Sequence, residues 1–263
     1  MELIFRYPGI VPFSIYEKNV FYGRDHDIEQ LFNLITNNKQ VLLYSKSGLG
    51  KSSLINAGLL PKLQDAGQNG FHKVRFSYFQ QYQHTYIQPH LATGYSIFAP
   101  LIAQRQKRKI PDKVLKREER ISDKCLDKII PLENSIWYFA KKWQSRMADG
   151  KILYLIFDQF EELFSYLPED IFVFKKQLAE LLYRDIPVNF RKVMGVKLKK
   201  QPDLLTEQEI DWILKPLDVR VLFSIRDDRM SQMKQLSDYL PDILRITHEL
   251  KPLKREQARM AIE

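Results

Sequence analysis

A lysine and a serine follow a loop of small residues in the run Ser45-Lys-Ser-Gly-Leu-Gly-Lys-Ser52. An apolar segment at 41–44 precedes the loop, and apolar residues at helical spacing follow it from 54 to 60. Strand, loop and helix in this order are the context in which the pattern G-x-x-x-x-G-K-[ST] forms a P-loop. Backbone N–H groups and the helix N-terminus of such a loop bind phosphate. The pattern therefore predicts a phosphate-binding loop, and a chance strand–turn–helix is the alternative.

Individual positions of this loop predict individual roles. Lys51 is expected to reach the β- and γ-phosphates of a nucleotide, and the Ser52 hydroxyl is expected to hold Mg²⁺. The other loop residues that we expect to bind nucleotide are Ser47, Gly48, Gly50 and Ser53. Ser45 departs from the pattern, which has glycine at that position. A serine fits there if φ is negative and has a steric cost if φ is positive.

A second chemical signal is Asp158, which follows the apolar run from Ile152 to Phe157. A run of this kind is typical of a buried central strand of a parallel sheet. Ligands of open α/β sheets bind at the carboxyl ends of the strands. Asp158 is therefore predicted to be the Walker B carboxylate that holds Mg²⁺, usually through water. Capping the helix that follows is its alternative role.

Two glutamates are candidates for catalysis. Glu161 and Glu162 lie about one helical turn beyond Asp158, where they could orient or deprotonate an attacking water. Favourable charge at a helix N-terminus is the alternative role of the pair.

The remaining pattern alternates between strands and helices. A further apolar run at 219–225 ends in Arg226, which could sense the γ-phosphate or pair with a neighbouring aspartate. Other strands are expected at 71–79 and 244–250. Helices are expected at 28–35, at 171–183 and, after the capping box Thr206-x-x-Glu209, up to Leu214. The basic segment 191–203 is predicted to be a loop.

Composition bounds the class of protein. The chain has 263 residues, 44% of them hydrophobic and 28% charged, which is typical of one large α/β domain or two small ones. Its single cysteine, Cys125, has no partner for an internal disulfide. The sequence shows neither a secretory signal nor an apolar run long enough to span a membrane. We therefore expect a cytoplasmic protein with no membrane partner.

The net charge of +9 favours a polyanionic partner. Residues 105–128 contribute +5 of this charge, from ten basic and five acidic residues. A solvated helical face is our first interpretation of this stretch, and a nucleic-acid site is the second.

Five groups of residues, spread along the chain, belong together. In chain order they are Tyr7-Pro-Gly-Ile-Val-Pro-Phe13, Phe21-Tyr-Gly-Arg24, Ser47-Gly-Leu-Gly-Lys-Ser-Ser-Leu54 with Ala57-Gly-Leu-Leu-Pro61, Asp158-Gln-Phe-Glu-Glu-Leu-Phe164, and Ile225-Arg-Asp227. In type and order they resemble the motifs of the novel STAND NTPases, signal-transduction ATPases related to the AAA+ and NACHT groups. The resemblance covers most of the chain, from Tyr7 to Ile262.

This resemblance implies a RecA-like three-layer α/β/α sandwich with a mainly parallel five-stranded sheet in the order 5-1-4-3-2. It places Gly23 and Arg24 beside the adenine and ribose, and it makes Arg226 the sensor. In the NACHT relatives the working acids stand three and four residues after the Mg²⁺ aspartate, as Glu161 and Glu162 do here. The expected limits are 1–21 for an N-terminal arm, 22–250 for the NTPase domain with a helical, basic insertion at about 96–147, and 251–263 for the start of a truncated helical lid.

The expected function is that of an ATPase switch. ATP or ADP with Mg²⁺ is expected to bind, and hydrolysis to control oligomerisation or effector activation. In the resembling bacterial proteins such switches often serve signalling or defence against phage. Because the family continues into lid, winged-helix and sensor regions, we expect further domains of a longer protein as partners. A homo-oligomer is expected for the full-length protein, whereas hydrolysis is expected to be weak in this truncated form.

Two other functions compete with this one. A nucleic-acid-binding AAA+-like module, which uses ATP only as a structural ligand, is the alternative that the charge supports. A GTPase has less support, because Asn38-Lys-Gln-Val41 lacks the aspartate of the guanine-reading pattern Asn-Lys-x-Asp.

Overall fold

The computed structural model describes residues 11–68, 71–75, 124–131, 135–145 and 152–262. The chain separates into two compact units. The first unit comprises Met1–Phe76, Tyr154–Leu163 and Arg220–Glu263, and the second comprises Ser77–Leu153 and Phe164–Val219. The predicted phosphate loop, Asp158 and Arg226 all belong to the first unit.

A sheet of five strands forms the centre of the first unit. The strands are β1 (Gln40–Ser45), β2 (Phe71–Arg75), β3 (Leu153–Asp158), β4 (Val219–Arg226) and β5 (Thr247–Glu249). They lie in the order β2-β3-β4-β1-β5, which is the expected order read from the opposite edge. β1 runs parallel to both β4 and β5, and β2 runs parallel to β3. The α/β class with a parallel sheet is confirmed, although β5 has only three residues and four longer strands form most of the sheet.

The helices are numbered along the whole chain. They are α1 (Asp25–Asn37), α2 (Lys51–Ser53), α3 (Leu60–Asp65), α4 (Lys124–Ile129), α5 (Ile136–Gln144), α6 (Pro168–Tyr183), α7 (Val188–Lys200), α8 (Glu207–Leu214) and α9 (Arg255–Ile262). A π-helical segment, Leu54–Leu59, joins α2 to α3, so that residues 51–65 form one helix, called here the P-loop helix. Shorter 3₁₀ helices span Ile15–Val20, Phe160–Ser165, Pro202–Leu204 and Asp227–Leu236.

Three aromatic rings fix the chain where β3 ends. Every residue of β3 is buried, and Phe157 stacks on Phe223 of β4 with ring centroids 5.7 Å apart. Phe160 is fully buried and meets the Phe223 ring edge-on at 4.7 Å. Such pairs add to the free energy gained by burying the rings. The segment that carries Asp158 and the two glutamates is therefore anchored on both sides of Gln159.

The second unit contains a lysine with no exposed surface. Lys141 of α5 donates hydrogen bonds to Gln144 Oε1 and to the backbone carbonyls of Trp212 and Lys215, at the C-terminal end of α8. Its ammonium also lies 5.1 Å from the centroid of the Trp212 ring. Burial, together with the charge of Lys215, lowers the pKa of Lys141 to about 8. At neutral pH the side chain is thus a charged cap that ties α5 to α8.

One prediction about the second unit is wrong and another is confirmed. The segment 191–203 is not a loop, because α7 covers most of it and a 3₁₀ helix follows. Only Phe190 and Met194 of α7 are buried. Two apolar residues among many basic ones give too weak a helical periodicity to be recognised in the sequence. The capping box of α8 is present, with Thr206 and Glu209 each bonding the backbone N–H of the other.

Some predictions concern residues outside the described ranges. They are the first ten residues of the N-terminal arm, the end of the strand expected at 71–79, and most of the basic insertion, including 105–123. The expected domain limits stay a prediction. In the part of the chain that is described, no helix combines the length and the apolar character that a membrane span needs.

Candidate nucleotide-binding site

The loop at 46–50 joins the carboxyl end of β1 to the P-loop helix. In the β1–β4 register Ser45 lies beside Arg226, so both strands end at the same edge of the sheet. Gly50 precedes the first helical residue, Lys51, and has a left-handed φ of 90°. Residues with a side chain rarely adopt this conformation, which explains the glycine. The strand, loop and helix expected of a phosphate-binding loop are therefore present.

The ammonium of Lys51 bends back over this loop. Its Nζ donates to the backbone carbonyl of Ser45 at 3.2 Å and to the Ser45 hydroxyl at 3.1 Å. The Ser45 hydroxyl in turn donates to the carbonyl of Lys46 at 2.8 Å. Ser45 does not have a positive φ. Within the described ranges, Gln159 is the one non-glycine residue that does. A serine at the first glycine position is therefore accommodated without backbone strain.

Charges from two strands, β3 and β4, and from the turns that follow them act on Lys51. Burial lowers the pKa of its ammonium. The carboxylates of Glu161, Asp158 and Asp227 oppose this shift, in that order of size. The guanidinium of Arg226 adds to the lowering. The predicted phosphate-binding lysine and the predicted magnesium and sensor residues thus lie within electrostatic reach of one another.

Asp158 is held in place by the turn that follows it. The residue is 2% exposed, and its Oδ1 accepts a hydrogen bond of 3.1 Å from the backbone N–H of Gln159. Gln159 has a left-handed φ of 56°, and its Oε1 is buried without a hydrogen-bond partner among the described residues. Such strained positions persist only where the surroundings determine them, often at functional sites. The backbone N–H of Gln159 therefore helps to orient the Asp158 carboxylate.

Glu161 acts electrostatically on Lys51. It makes the largest carboxylate contribution to the pKa of the Lys51 ammonium. The Oε2 atom of Glu161 is also buried without a hydrogen-bond partner among the described residues. An acceptor of this kind is suited to a ligand or a water. The effect on Lys51 makes Glu161 the first candidate for catalysis, and the catalytic roles of Glu161 and Glu162 stay predictions.

Arg226 is engaged with a neighbour. Its Nε and one terminal nitrogen donate to the two carboxylate oxygens of Asp228 at 3.0 and 2.8 Å. Its side chain remains 43% exposed. The ion pair that competed with the sensor role is thus formed, and the sensor role stays a prediction.

Gly23 and Arg24 form a tight corner before α1. Gly23 has φ of 78°, and a Cβ added to it would lie 2.6 Å from the backbone oxygen of Gln257 in α9. The Arg24 guanidinium donates to Leu49 O, Lys251 O and the Asp27 carboxylate. Contact of this corner with the adenine and ribose stays a prediction, but the described bonds of the guanidinium are to protein.

Ser53 also has a protein partner. Its hydroxyl accepts a 3.2 Å hydrogen bond from the backbone N–H of Phe13, and Asn56 Nδ2 donates to the carbonyl of Phe13 at 2.9 Å. The end of the N-terminal arm is thus attached to the P-loop helix. The predicted nucleotide contacts of Ser47, Gly48 and Ser53 stay predictions.

The residues proposed for magnesium fit the ion. Mg²⁺ is usually held by one or two carboxylates together with substrate phosphates and waters. The Ser52 hydroxyl and the Asp158 carboxylate supply oxygen atoms of this kind. No group of three or more His, Cys, Asp or Glu side chains in the described ranges could hold a metal ion by itself.

Two features of the site carried no interpretable signal in the sequence. The bonds of Arg24 to Leu49 and Lys251 join residues 25 and 227 positions apart. Asp27 pairs with His248, whose side chain is buried at 3.5 Å from the carboxylate. Because these contacts are made by backbone carbonyls and by residues far apart in the sequence, only the folded chain reveals them.

The strand–loop–helix with its lysine, and the carboxylate at the end of β3, define the class of P-loop NTPase modules. The sequence profile of the family Novel STAND NTPase 1 matches residues 7–263. The chain belongs to this family.

Comparison with solved structures gives a more distant similarity. The Aeropyrum pernix ORC1 protein, solved in complex with DNA, is 13% identical, with a TM-score of 0.44. The match covers 91% of this chain and 48% of that chain, so this chain spans about half the length of the ORC1 protein. Among curated proteins no sequence matches.

Proposed function

We propose that the first unit binds ATP or ADP with Mg²⁺ and hydrolyses ATP as a regulatory switch. The observation that carries this proposal is the electrostatic grouping of Lys51 with Asp158 and Glu161 at the carboxyl ends of β1 and β3. A cation that reaches phosphates, a carboxylate for the metal and a second carboxylate for water are the parts that phosphoryl transfer to water uses. Membership of an NTPase family supports the same reaction.

The residues have separate roles in this proposal. Lys51 and the N–H groups of the phosphate loop, from Ser47 to Ser53, bind the phosphates. Ser52 and Asp158 hold Mg²⁺, which when bound neutralises charge on the β- and γ-phosphates. Glu161 orients the attacking water and accepts its proton. The backbone at Gly23 and Arg24 lies beside the base.

At the next level we propose a role for the nucleotide state in signalling. Binding, hydrolysis and exchange would control oligomerisation or effector activation of a longer signalling protein, including proteins of antiviral defence. Other domains of that protein, and further copies of it, are the proposed partners.

Titration of the chain with ATP and Mg²⁺ in a calorimeter tests the nucleotide site. We expect saturable binding that is lost in Lys51→Ala, because the ammonium is the cation closest to the phosphates in a P-loop. Lys46→Ala is the matched control, since Lys46 is an exposed lysine of the same loop. Equal affinity of Lys51→Ala and the unchanged chain would refute the site.

A specific observation supports a second candidate, a nucleic-acid-binding module. Helix α7 carries five basic residues and no acidic one, and most of these cations are exposed (Arg191, Lys192, Lys197, Lys199 and Lys200). Neutralisation of phosphates by such cations gives an affinity that falls steeply with salt. Binding of duplex DNA or RNA at low salt that disappears as salt rises would support this function, and absence of binding at low salt would exclude it.

A further inference from the structure

Arg24 is a buried arginine whose three acceptors lie in three separate segments. Its side chain is 8% exposed. One terminal nitrogen donates to Asp27 Oδ2 at 3.0 Å and to Lys251 O at 2.8 Å. The other donates to Leu49 O at 3.2 Å. The planar guanidinium holds several donors in a fixed relation, so it fixes its acceptors relative to one another.

The bond to Leu49 acts on the phosphate loop itself. In a trans peptide the C=O of one residue and the N–H of the next point in opposite directions. A Leu49 carbonyl held by Arg24 therefore turns the N–H of Gly50 away from Arg24. Gly50 has the left-handed conformation that allows the next peptide to turn as well. Arg24 thus sets the orientation of one of the N–H groups from which a phosphate cradle is built.

The bond to Lys251 acts on the segment that leads to α9. The chain passes from β5 through Leu250, whose N–H donates to the carbonyl of Tyr44 on β1 at 2.9 Å. Lys251 follows, and α9 begins four residues later. The packing of Gly23 against the backbone of Gln257 brings α9 to the same corner. One arginine therefore joins the phosphate loop to the start of this helix.

Asp27, which lies next to His248, also restricts the position of Arg24. Asp27 accepts from Arg24 through Oδ2, while its Oδ1 lies 3.5 Å from the Nε2 atom of the buried His248 on β5. Through Oδ2 the carboxylate restricts the position of the guanidinium, while its Oδ1 lies beside the buried ring of His248. A charge-assisted bond of this kind is stronger than a neutral one.

We propose that Arg24 is a positioning residue that couples the phosphate loop to the segment from Lys251 to α9, so that phosphates bound by the loop order this helix. The inference rests on the proposed nucleotide site. It adds the contacts through which nucleotide binding affects a segment outside that site. Lysine cannot replace arginine in this role, because its compact ammonium lacks the planar fork that bridges Leu49, Lys251 and Asp27.

Hydrogen exchange of the full chain, with and without saturating ADP and Mg²⁺, tests the coupling. In the unchanged chain we expect ADP to slow exchange both in the loop at 46–50 and at 251–262. Arg24→Lys is expected to bind ADP about ten- to a hundredfold more weakly, since bonds to a charged group are lost. At saturating ADP we expect the phosphate loop of Arg24→Lys to regain protection from hydrogen exchange. Residues 251–262 of this variant are expected to remain unprotected. A purely structural loss would leave nucleotide-dependent protection of 251–262 intact once the site is filled.

Arg245→Lys is the matched control, because Arg245 is an exposed arginine of the same unit that pairs with Asp242. It is expected to behave as the unchanged chain. Asp27→Asn provides a second test if Arg24→Lys does not fold, and it is expected to weaken the same coupling. ADP-dependent protection of 251–262 that persists in either folded variant overturns the inference while the nucleotide site stands. Absence of ADP binding by the unchanged chain overturns both.

Discussion

Glu161 supplies the largest carboxylate effect on the Lys51 ammonium, ahead of Asp158 at the end of β3. Glu161 lies three residues beyond Asp158, in the 3₁₀ helix that the buried ring of Phe160 anchors. The lysine and the glutamate therefore belong to one electrostatic group, although 110 positions separate them in the sequence. Their relation makes Glu161 the first candidate for the general base, and it leads directly to a test.

Glu161→Gln is expected to keep nucleotide binding and to slow phosphate release by about a hundredfold or more, because a positioned general base typically contributes that much. Loss of a negative charge beside the triphosphate does not oppose binding. Phosphate release and calorimetry measure the two effects. Glu162→Gln is the matched control and is expected to retain turnover. A defect in Glu162→Gln together with normal turnover in Glu161→Gln would assign the base to Glu162.

Gly23→Ala is expected to destabilise the first unit. The added Cβ would lie 2.6 Å from Gln257 O, and φ is 78°. Gly48→Ala separates the two causes, because Gly48 has φ of 81° with nothing within 4 Å of an added Cβ. The left-handed conformation alone costs about 1–2 kcal/mol for a residue with a side chain. Urea unfolding should show a larger loss for Gly23→Ala than for Gly48→Ala, and equal losses would mean that α9 moves away without cost.

Lys141→Met is expected to lower the free energy of unfolding by about 1–3 kcal/mol at neutral pH, because the carbonyls of Trp212 and Lys215 lose their charged donor. Relief of the buried charge offsets part of this loss. Lys142→Met is the control, since Lys142 of the same helix forms a partly exposed ion pair with Asp127 of α4, and exposed pairs contribute about 0–1 kcal/mol. Urea unfolding measures both variants. A Lys141→Met chain as stable as the unchanged one would show that the cap is not needed.

His248 is expected to make stability depend on pH. Burial lowers the pKa of His248, and Asp27 only partly opposes this shift. Between the lowered folded pKa and the ordinary value of about 6.5, the unfolded chain binds more protons than the folded chain. Stability therefore falls as pH drops below about 6.5 through this window and is restored as pH rises.

Urea midpoints at several pH values measure this dependence. His248→Gln should flatten the profile in this window, whereas His26→Gln should change it much less, because the charge of the exposed His26 makes only a smaller contribution to the lowered pKa of His248. A profile that is the same with and without His248 would contradict the assignment.

The sequence by itself determined the order of elements and the residue types of the site. The informative patterns are local: glycine at 48 and 50 with a lysine and a serine after them, and an apolar run that ends in Asp158. They are readable because the conformation of a loop and the burial of a strand each restrict the types of neighbouring residues. The same locality explains why α7 was missed, since two buried residues make too weak a periodic signal.

Tertiary structure alone decided which residues meet. It brought Glu161 within electrostatic reach of Lys51 and paired Arg226 with Asp228. It also joined Arg24 to the carbonyls of Leu49 and Lys251. These relations depend on strand order, on a left-handed turn at Gln159 and on backbone groups that every residue carries. Backbone acceptors leave no trace in residue type, so their partners become visible only when the chain is folded.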